Sequence, residues 1–244
     1  MKTFLILQLR PETDASDDEF AAILAKGGLT EGDVHRIRLD QGDPPEALDP
    51  ADYAGTIVGG GPGCVSDPAE TKSPLDARME AACFRLLARA VADDLPFLGC
   101  CYGIGILAHH LGGTVSKARY GEPVGTSPCA LTPEGAADPL LAGLPARFDA
   151  FVGHKEAVQA LPPGCVHLVE SGPCPFQMIR HGRNVYATQF HPEADADGFE
   201  TRIRIYRDYG YFPPETAQDL VAMCRAADVT APEGILRNFV QRYG

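Results

Sequence analysis

The chain of 244 residues is long enough for one domain with an extension or for two small domains. Its composition, 45% hydrophobic and 22% charged, is that of a globular protein and excludes wholesale disorder. The formal net charge of −12 argues against nucleic acid as a partner, because phosphate groups are bound by clustered lysine and arginine.

The chain begins with a short apolar segment over residues 3–9. A secretory signal needs roughly 7–15 apolar residues followed by a cleavage site of small residues, which this segment lacks. No apolar run approaches the ~20 residues of a membrane-spanning helix. We therefore predict a buried first strand, no membrane partner and a cytoplasmic protein.

The eight cysteines show neither C-x-x-C spacing nor histidines at zinc-finger intervals. A disulfide framework is not expected in a chain of this length without an export signal. Most of the cysteines are therefore predicted to be buried as small hydrophobic residues. The sequence predicts no metal and no cofactor.

The first half of the chain alternates strands and helices. Apolar runs predict strands over 3–9, 34–39, 56–58 and 96–99, and apolar residues at helical spacing predict helices over 17–26, 76–92 and 101–111. This order predicts an α/β protein with three layers, in which a mostly parallel central sheet carries helices on both faces.

The second half has shorter predicted strands, some of them antiparallel, over 114–119, 122–131, 147–152, 166–170, 175–180 and 185–190. Helices follow from about residue 198, with a last helix expected to begin at Thr230. The arginines between Arg202 and Arg207 are interpreted as a solvated helix face rather than an anion site. We predict one domain over 1–195, with a helical extension over 196–244 packed on it.

The segment 97–105 combines a strand, a tight turn and a helix around Cys101. Glycines lie two residues before and two residues after this cysteine, as in a nucleophile elbow with sulfur in place of oxygen. The N-terminus of the new helix would favour a thiolate with a lowered pKa. The alternative interpretation is a buried pair of cysteines beside a glycine turn.

The segment 185–193 ends an apolar strand with His-Pro-Glu. A cysteine nucleophile needs a base, and the base needs a group that fixes its tautomer. Side chains two residues apart lie on one face of an extended chain, so Glu193 can orient His191 toward Cys101. A lone histidine at a strand end is more often structural, but the combination with a cysteine elbow is more specific.

A third strand leads into the glycine-rich turn 59–63. The N–H groups of such a turn can stabilise an oxyanion, and our candidates for the two donors are the amides of Gly61 and Tyr102. A phosphate-binding turn is less favoured, because the turn lacks the Lys-Ser/Thr of a P-loop and a full G-x-G-x-x-G pattern.

These three motifs, in this order, resemble the class I (triad-type) glutamine amidotransferases. Within the family the chain is similar to the amidotransferase domain of GMP synthase. The resemblance implies a flavodoxin-like fold and hydrolysis of the glutamine side-chain amide through a thioester. Cys101 would then be the nucleophile, His191 the general base and Glu193 the residue that orients His191.

The resemblance also implies where the substrate binds. The segment 151–158 looks like the family segment whose backbone holds glutamine, which suggests Lys155 and Glu156 as contacts, together with Gly63 and Gly105. For His154 a substrate role and a structural hydrogen bond remain alternatives. The family usually has Gln where this chain has Gly105, so free glutamine as substrate is open to question; the nearby His109-His110 pair is favoured as a helix cap.

Three functions therefore stay open. The leading one is a stand-alone amidotransferase-like hydrolase that takes a small-molecule substrate, glutamine or a γ-glutamyl compound, and supplies ammonia to a separate synthase subunit. The second is a γ-glutamyl peptidase or another amide hydrolase of the same fold. The third is a non-catalytic regulatory relative, against which the presence of Cys101, His191 and Glu193 argues.

Overall fold

A nine-stranded mixed sheet forms the centre of the structure, a computed structural model that describes residues 2–244. Its strands, with the two of a small second sheet, are β1 Phe4–Gln8, β2 Val34–Arg38, β3 Gly55–Val58, β4 Phe97–Cys100, β5 Val115–Ser116, β6 Glu122–Leu131, β7 Arg147–His154, β8 Ala157–Val158, β9 Cys165–Ser171, β10 Met178–His181 and β11 Val185–Thr188. The strand order of the large sheet is β2-β1-β3-β4-β11-β10-β9-β6-β7, and β5 pairs with β8.

The pairing of neighbouring strands changes from parallel to antiparallel across the width of the sheet. Strands β2, β1, β3, β4 and β11 run parallel, and β10, β9, β6 and β7 continue the sheet by antiparallel pairing. Strands β1, β3, β4 and β11 are buried along their whole length, as parallel strands covered on both faces must be. The predicted α/β class, with a parallel first half and antiparallel strands after it, is confirmed.

Seven α-helices surround the sheet: α1 Thr13–Gly27, α2 Pro74–Ala92, α3 Tyr102–His110, α4 Pro133–Ala136, α5 Ala196–Ile205, α6 Ala217–Ala226 and α7 Glu233–Tyr243. Helices α2 and α3 pack on one face of the sheet through a cluster that includes Leu7 and Leu87. Helices α1 and α7 cover the other face, where Ile23 and Phe239 are buried. The predicted helices on both faces are thereby confirmed.

A third apolar cluster lies beneath α5 and α6. Phe151 of β7 stacks on Phe199 of α5 with ring centroids 4.6 Å apart, and Phe212 and Cys224 also belong to the cluster. The last helix begins at Glu233 rather than at the expected Thr230, whose hydroxyl donates to Asp228 instead of capping a helix. Among residues 2–244, none of the helices combines the length and the apolar character that a bilayer crossing requires.

The parallel strands bring the predicted motifs to one edge of the sheet. Arg10 follows β1, the glycine turn follows β3, Cys101 follows β4 and His191 follows β11. Neighbouring parallel strands end side by side, so segments far apart in sequence meet at their carboxyl ends. This edge of the sheet is where the candidate site lies.

Candidate active site

Cys101 occupies a strained turn between β4 and α3. Its backbone has φ 54° and ψ −88°, a conformation that residues other than glycine rarely adopt. The turn is tight: a Cβ on Gly99 would lie 2.9 Å from the Cα of Gly103, so position 99 requires glycine. The Cys101 amide donates to the Thr188 carbonyl at 2.8 Å, which ties the elbow to β11.

The thiol is more enclosed than the sequence suggested. Cys101 is 9% exposed, and burial raises its pKa to about 12, although the charges of Arg10 and Arg202 act to lower it. Burial thus opposes the lowered pKa that the sequence predicts from the helix N-terminus. The sulfur must lose its proton to a base during the reaction.

His191 stands ready as that base. Its Nδ1–H donates to Glu193 Oε1 at 2.7 Å, which leaves Nε2 as the acceptor. Burial lowers the pKa of His191, only partly opposed by the charge of Glu193, so the imidazole is neutral near pH 7. Both His191 and Cys101 line the same cavity.

Glu193 is shared by two side chains of the site, His191 and Arg202. Its Oε1 also accepts from Arg202 Nη2 at 2.9 Å, and both side chains are buried. Burial acts to raise the pKa of Glu193, but its interactions with His191 and Arg202 together hold that pKa well below its usual value. The carboxylate therefore stays ionised and fixes the tautomer of His191.

Arg202 corrects the interpretation of the arginine stretch as a solvated face. Its side chain is 7% exposed, whereas that of Arg204 on the same helix is 73% exposed. The difference arises because Arg202 turns toward the buried Glu193, in the segment after β11, whereas Arg204 turns to solvent.

The glycine turn is braced from behind by a buried ion pair. Glu19 of α1 accepts from Arg10 Nε at 2.7 Å and from the Gly60 amide at 3.1 Å. Among residues 2–244 the amides of Gly61 and Tyr102 donate to no protein acceptor. Two free N–H groups beside a nucleophile are what an oxyanion hole requires.

Two cavities meet at Cys101. The first, which we call the polar cavity, includes Gly63, His154, Lys155, Glu156 and Gln189 among its lining residues. The second, the aromatic cavity, includes Arg10, His191, Phe199, Arg202, Tyr206 and Phe212. Gly61, Cys101, Gly153 and Tyr211 line both.

Four of the five predicted substrate residues lie at the polar cavity, but their side chains are engaged by the protein. The ring nitrogens of His154 bond Glu156 O and Glu122 Oε2, both at 2.9 Å. Lys155 Nζ donates to the Tyr209 carbonyl at 2.8 Å. The side chains of His154 and Lys155 are thus held by the protein.

Gly105 differs from the other four, because it does not line the polar cavity. The Glu156 carboxylate lies between Gly105 and the polar cavity. It accepts hydrogen bonds from the amides of Val65 and Ser66 at 2.8 and 2.9 Å. A Cβ on Gly105 would lie 3.1 Å from Glu156 Oε1. The space left by the missing side chain is therefore filled by the protein and is not available to a larger substrate.

The His109-His110 pair is exposed at the end of α3, with the His109 ring against Phe84 at 5.5 Å. It lies outside both cavities, in keeping with the favoured end-of-helix position.

Behind His154, the potential ligand atoms of Glu122, His154 and Cys174 lie within 4.8 Å of one another. Because Glu122 already accepts from His154 and Gln177, hydrogen bonds account for this cluster, and the absence of a metal stays a prediction.

Sequence reasoning missed several residues of the site. Gln189 had a usable signal, since it lies two residues before His191 at the end of the same strand, and its buried Oε1 faces no donor in residues 2–244. Arg10 also directly follows a predicted strand. Glu19 and Tyr211 carried no local signal, because each is recruited from a distant segment; the Tyr211 hydroxyl donates to the Pro62 carbonyl at 3.0 Å.

A cysteine elbow, a buried His–Glu pair and two free amides at the carboxyl edge of an α/β sheet define a cysteine hydrolase of amide bonds. The profile of the family described as "Glutamine amidotransferase class-I" matches residues 16–204. The chain therefore belongs to the class I glutamine amidotransferase family, and the resemblance drawn from its motifs is confirmed.

The relatives in sequence carry the name GMP synthase [glutamine-hydrolyzing]. The one from Thermomicrobium roseum is 36% identical over 143 residues, which are 57% of this chain and 23% of the relative. The one from Lactococcus lactis subsp. lactis is 38% identical over 141 residues, 57% of this chain and 24% of the relative. The matched region thus spans about a quarter of the length of these relatives.

Solved structures agree in fold over the whole chain. A glutamine amidotransferase from Thermotoga maritima aligns with a TM-score of 0.76 at 18% identity, covering 100% of this chain and 98% of that one. A glutamine amido transferase from Methylobacillus flagellatus aligns with a TM-score of 0.71 at 22% identity, covering 100% and 94%. At these identities the likeness confirms the flavodoxin-like fold alone.

Proposed function

We propose that this amidotransferase hydrolyses the side-chain amide of glutamine to glutamate and ammonia, with Cys101, His191 and Glu193 as its triad. The observation that carries the proposal is the position of Cys101, where two cavities meet beside a neutral, oriented imidazole. A buried thiol and a neutral histidine together provide the nucleophile and the acceptor for its proton.

In the first half of the reaction His191 Nε2 takes the thiol proton as sulfur attacks the amide carbon. The developing oxyanion accepts from the amides of Gly61 and Tyr102. His191 then returns the proton to the leaving nitrogen, the carbon–nitrogen bond breaks, and ammonia leaves a γ-glutamyl thioester on Cys101.

In the second half water attacks the thioester, with His191 again as base, and releases glutamate and the free thiol. Glu193 stabilises the imidazolium that forms in each half and holds its ring orientation. The α-amino and α-carboxylate groups of glutamine lie in the polar cavity, against the backbone of Gly63 and of residues 154–156.

A separate acceptor subunit and a two-part organisation of the chain belong to the same proposal. Support comes from the relatives, which are named as synthases and of which this chain matches about a quarter. We propose that residues 1–195 form the amidotransferase domain and that 196–244 form an extension. Tyr211 of that extension covers Cys101 and bonds the glycine turn.

The test is intact-protein mass spectrometry with a chloroketone analogue of glutamine. One covalent addition is expected, absent in Cys101→Ser, slowed in His191→Ala and suppressed by excess glutamine. Cys64→Ser is the matched control, because Cys64 also lines the polar cavity, and it should label like the wild type. Labelling that persists in Cys101→Ser, or that disappears in Cys64→Ser, would overturn the assignment of the nucleophile.

A further inference from the structure

Residues 206–214 of the extension, which we call the covering segment, bring aromatic side chains to the cavities beside Cys101. Of these side chains, that of Tyr211 lines both cavities. Phe212, the next residue, is buried in the third apolar cluster, and Gly210 before it has φ 74°, which glycine adopts without strain. The covering segment therefore presents the Tyr211 ring to the site from an anchored base.

The side chain of Tyr211 is fixed at its ring and at its hydroxyl. Lys155 Nζ lies 4.1 Å from the centre of the ring, where a cation is attracted to the aromatic face. Burial raises the pKa of the Tyr211 hydroxyl well above its ordinary value, so this group keeps its proton. The hydroxyl donates that proton to the Pro62 carbonyl at 3.0 Å, which ties the extension to the glycine turn.

The glycine turn is restrained on both sides of Gly61. On one side the Gly60 amide donates to Glu19 at 3.1 Å. On the other side the bond from Tyr211 to Pro62 is the only hydrogen bond that the last three residues of the turn make within residues 2–244. Glycine restricts its own backbone little, whereas proline has a fixed φ, so a bond to the proline carbonyl also limits the rotation of Gly61.

We propose that Tyr211 is a positioning residue for the oxyanion hole: its hydroxyl holds the Pro62 carbonyl and thereby keeps the Gly61 amide directed at the developing oxyanion. This inference rests on the proposed function, in which the amides of Gly61 and Tyr102 receive that charge. Such donors are effective because they are oriented before the reaction begins. Tyr211 acts through the turn and takes part in no proton transfer, so the extension completes the site without supplying a catalytic group.

The test compares Tyr211→Phe with Tyr209→Phe. Each variant removes one hydroxyl from the covering segment and keeps the ring, but the Tyr209 hydroxyl bonds Glu12, which lies outside the turn. We expect kcat/KM for glutamine to fall by about 10- to 100-fold in Tyr211→Phe, somewhat less than the roughly 100- to 1,000-fold that the loss of an oxyanion donor costs. Tyr209→Phe should stay within about twofold of the wild type.

An aldehyde analogue of glutamine, L-glutamate γ-semialdehyde, provides a readout of the oxyanion hole itself. The Cys101 sulfur adds to the aldehyde carbon, the thiol proton passes to His191, and the aldehyde oxygen becomes an oxyanion like that of the reaction. The Ki of the aldehyde should rise in Tyr211→Phe by about the factor by which kcat/KM falls. Alkylation of Cys101 by iodoacetamide forms no oxyanion, so its rate should not fall; a fall would mean a damaged nucleophile and would overturn the positioning role.

Hydrogen exchange of a peptide that contains residues 59–63, followed by mass spectrometry, should be faster in Tyr211→Phe than in the wild type. Unchanged kcat/KM and Ki in Tyr211→Phe would overturn the positioning role while leaving the proposed function intact. An equal loss in Tyr209→Phe would also overturn it, because the covering segment would then act only as a lid. A wild type that neither hydrolyses glutamine nor reacts with the chloroketone at Cys101 would overturn both proposals.

Discussion

Replacing Arg202 by methionine tests whether the extension contributes to the triad. The change keeps an unbranched side chain, shorter than that of arginine, and removes the charge that bonds Glu193 at 2.9 Å. Glu193 would keep its bond from His191 at 2.7 Å but lose its cationic partner. We expect the free energy of unfolding to fall and the pKa of His191 to rise.

The magnitude follows from the burial of the pair. Removing one partner of a buried ion pair costs about 3–5 kcal/mol. The retained bond to His191 and the two Arg202 nitrogens that lack partners reduce the loss, so we expect about 2–3 kcal/mol of unfolding free energy. For a chain of this length that corresponds to a fall in Tm of about 4–12 °C.

The pH dependence of kcat/KM would not change if Arg202 had only a structural role. Burial is the main cause that lowers the pKa of His191, and the charge of Arg202 lowers it further. Activity needs neutral His191 and falls as the pH drops through that pKa. In Arg202→Met the pKa rises, so the acid limb of kcat/KM should move to higher pH.

Thermal melts and pH–rate profiles of Arg202→Met, Arg202→Lys and Arg204→Met would decide the matter. The exposed Arg204 pairs only with Glu200 at the surface, and its loss should change stability by no more than about 0.5 kcal/mol. Lysine keeps the charge, so its acid limb should stay near that of the wild type. An unchanged Tm together with an unmoved acid limb in Arg202→Met would refute the reasoning.

Two further predictions concern the core of the site. Gly105→Ala should lower the unfolding free energy in urea by about 1 kcal/mol, since a contact of 3.1 Å to the tethered Glu156 carboxylate outweighs the gain in helix propensity; a stability gain would contradict it. Stability should also fall as the pH drops below about 6.5, because the unfolded imidazole takes a proton there while buried His191 stays neutral to lower pH. Melts between pH 7.5 and 5 should show a shallower pH dependence in His191→Asn than in the wild type, and identical slopes would count against this account.

The local parts of this protein could be read from its sequence. Apolar runs and glycine turns located the strands, and the order of strands and helices was sufficient to predict the parallel half of the sheet. Cys101 and His191 could be placed at its edge because each directly follows a buried strand. These features depend on residues that are neighbours in the chain, so their physical causes are visible in short windows.

The environment of the site was decided by contacts between distant segments. Arg202 and Arg204 look alike in sequence, and only the assembled fold turns one toward the buried Glu193 and the other to solvent. The thiol of Cys101 is protonated because the cavity walls desolvate it, including Tyr211, which bonds the Pro62 carbonyl 149 residues away. Burial and partner choice are properties of the assembled fold, and no single segment carries them.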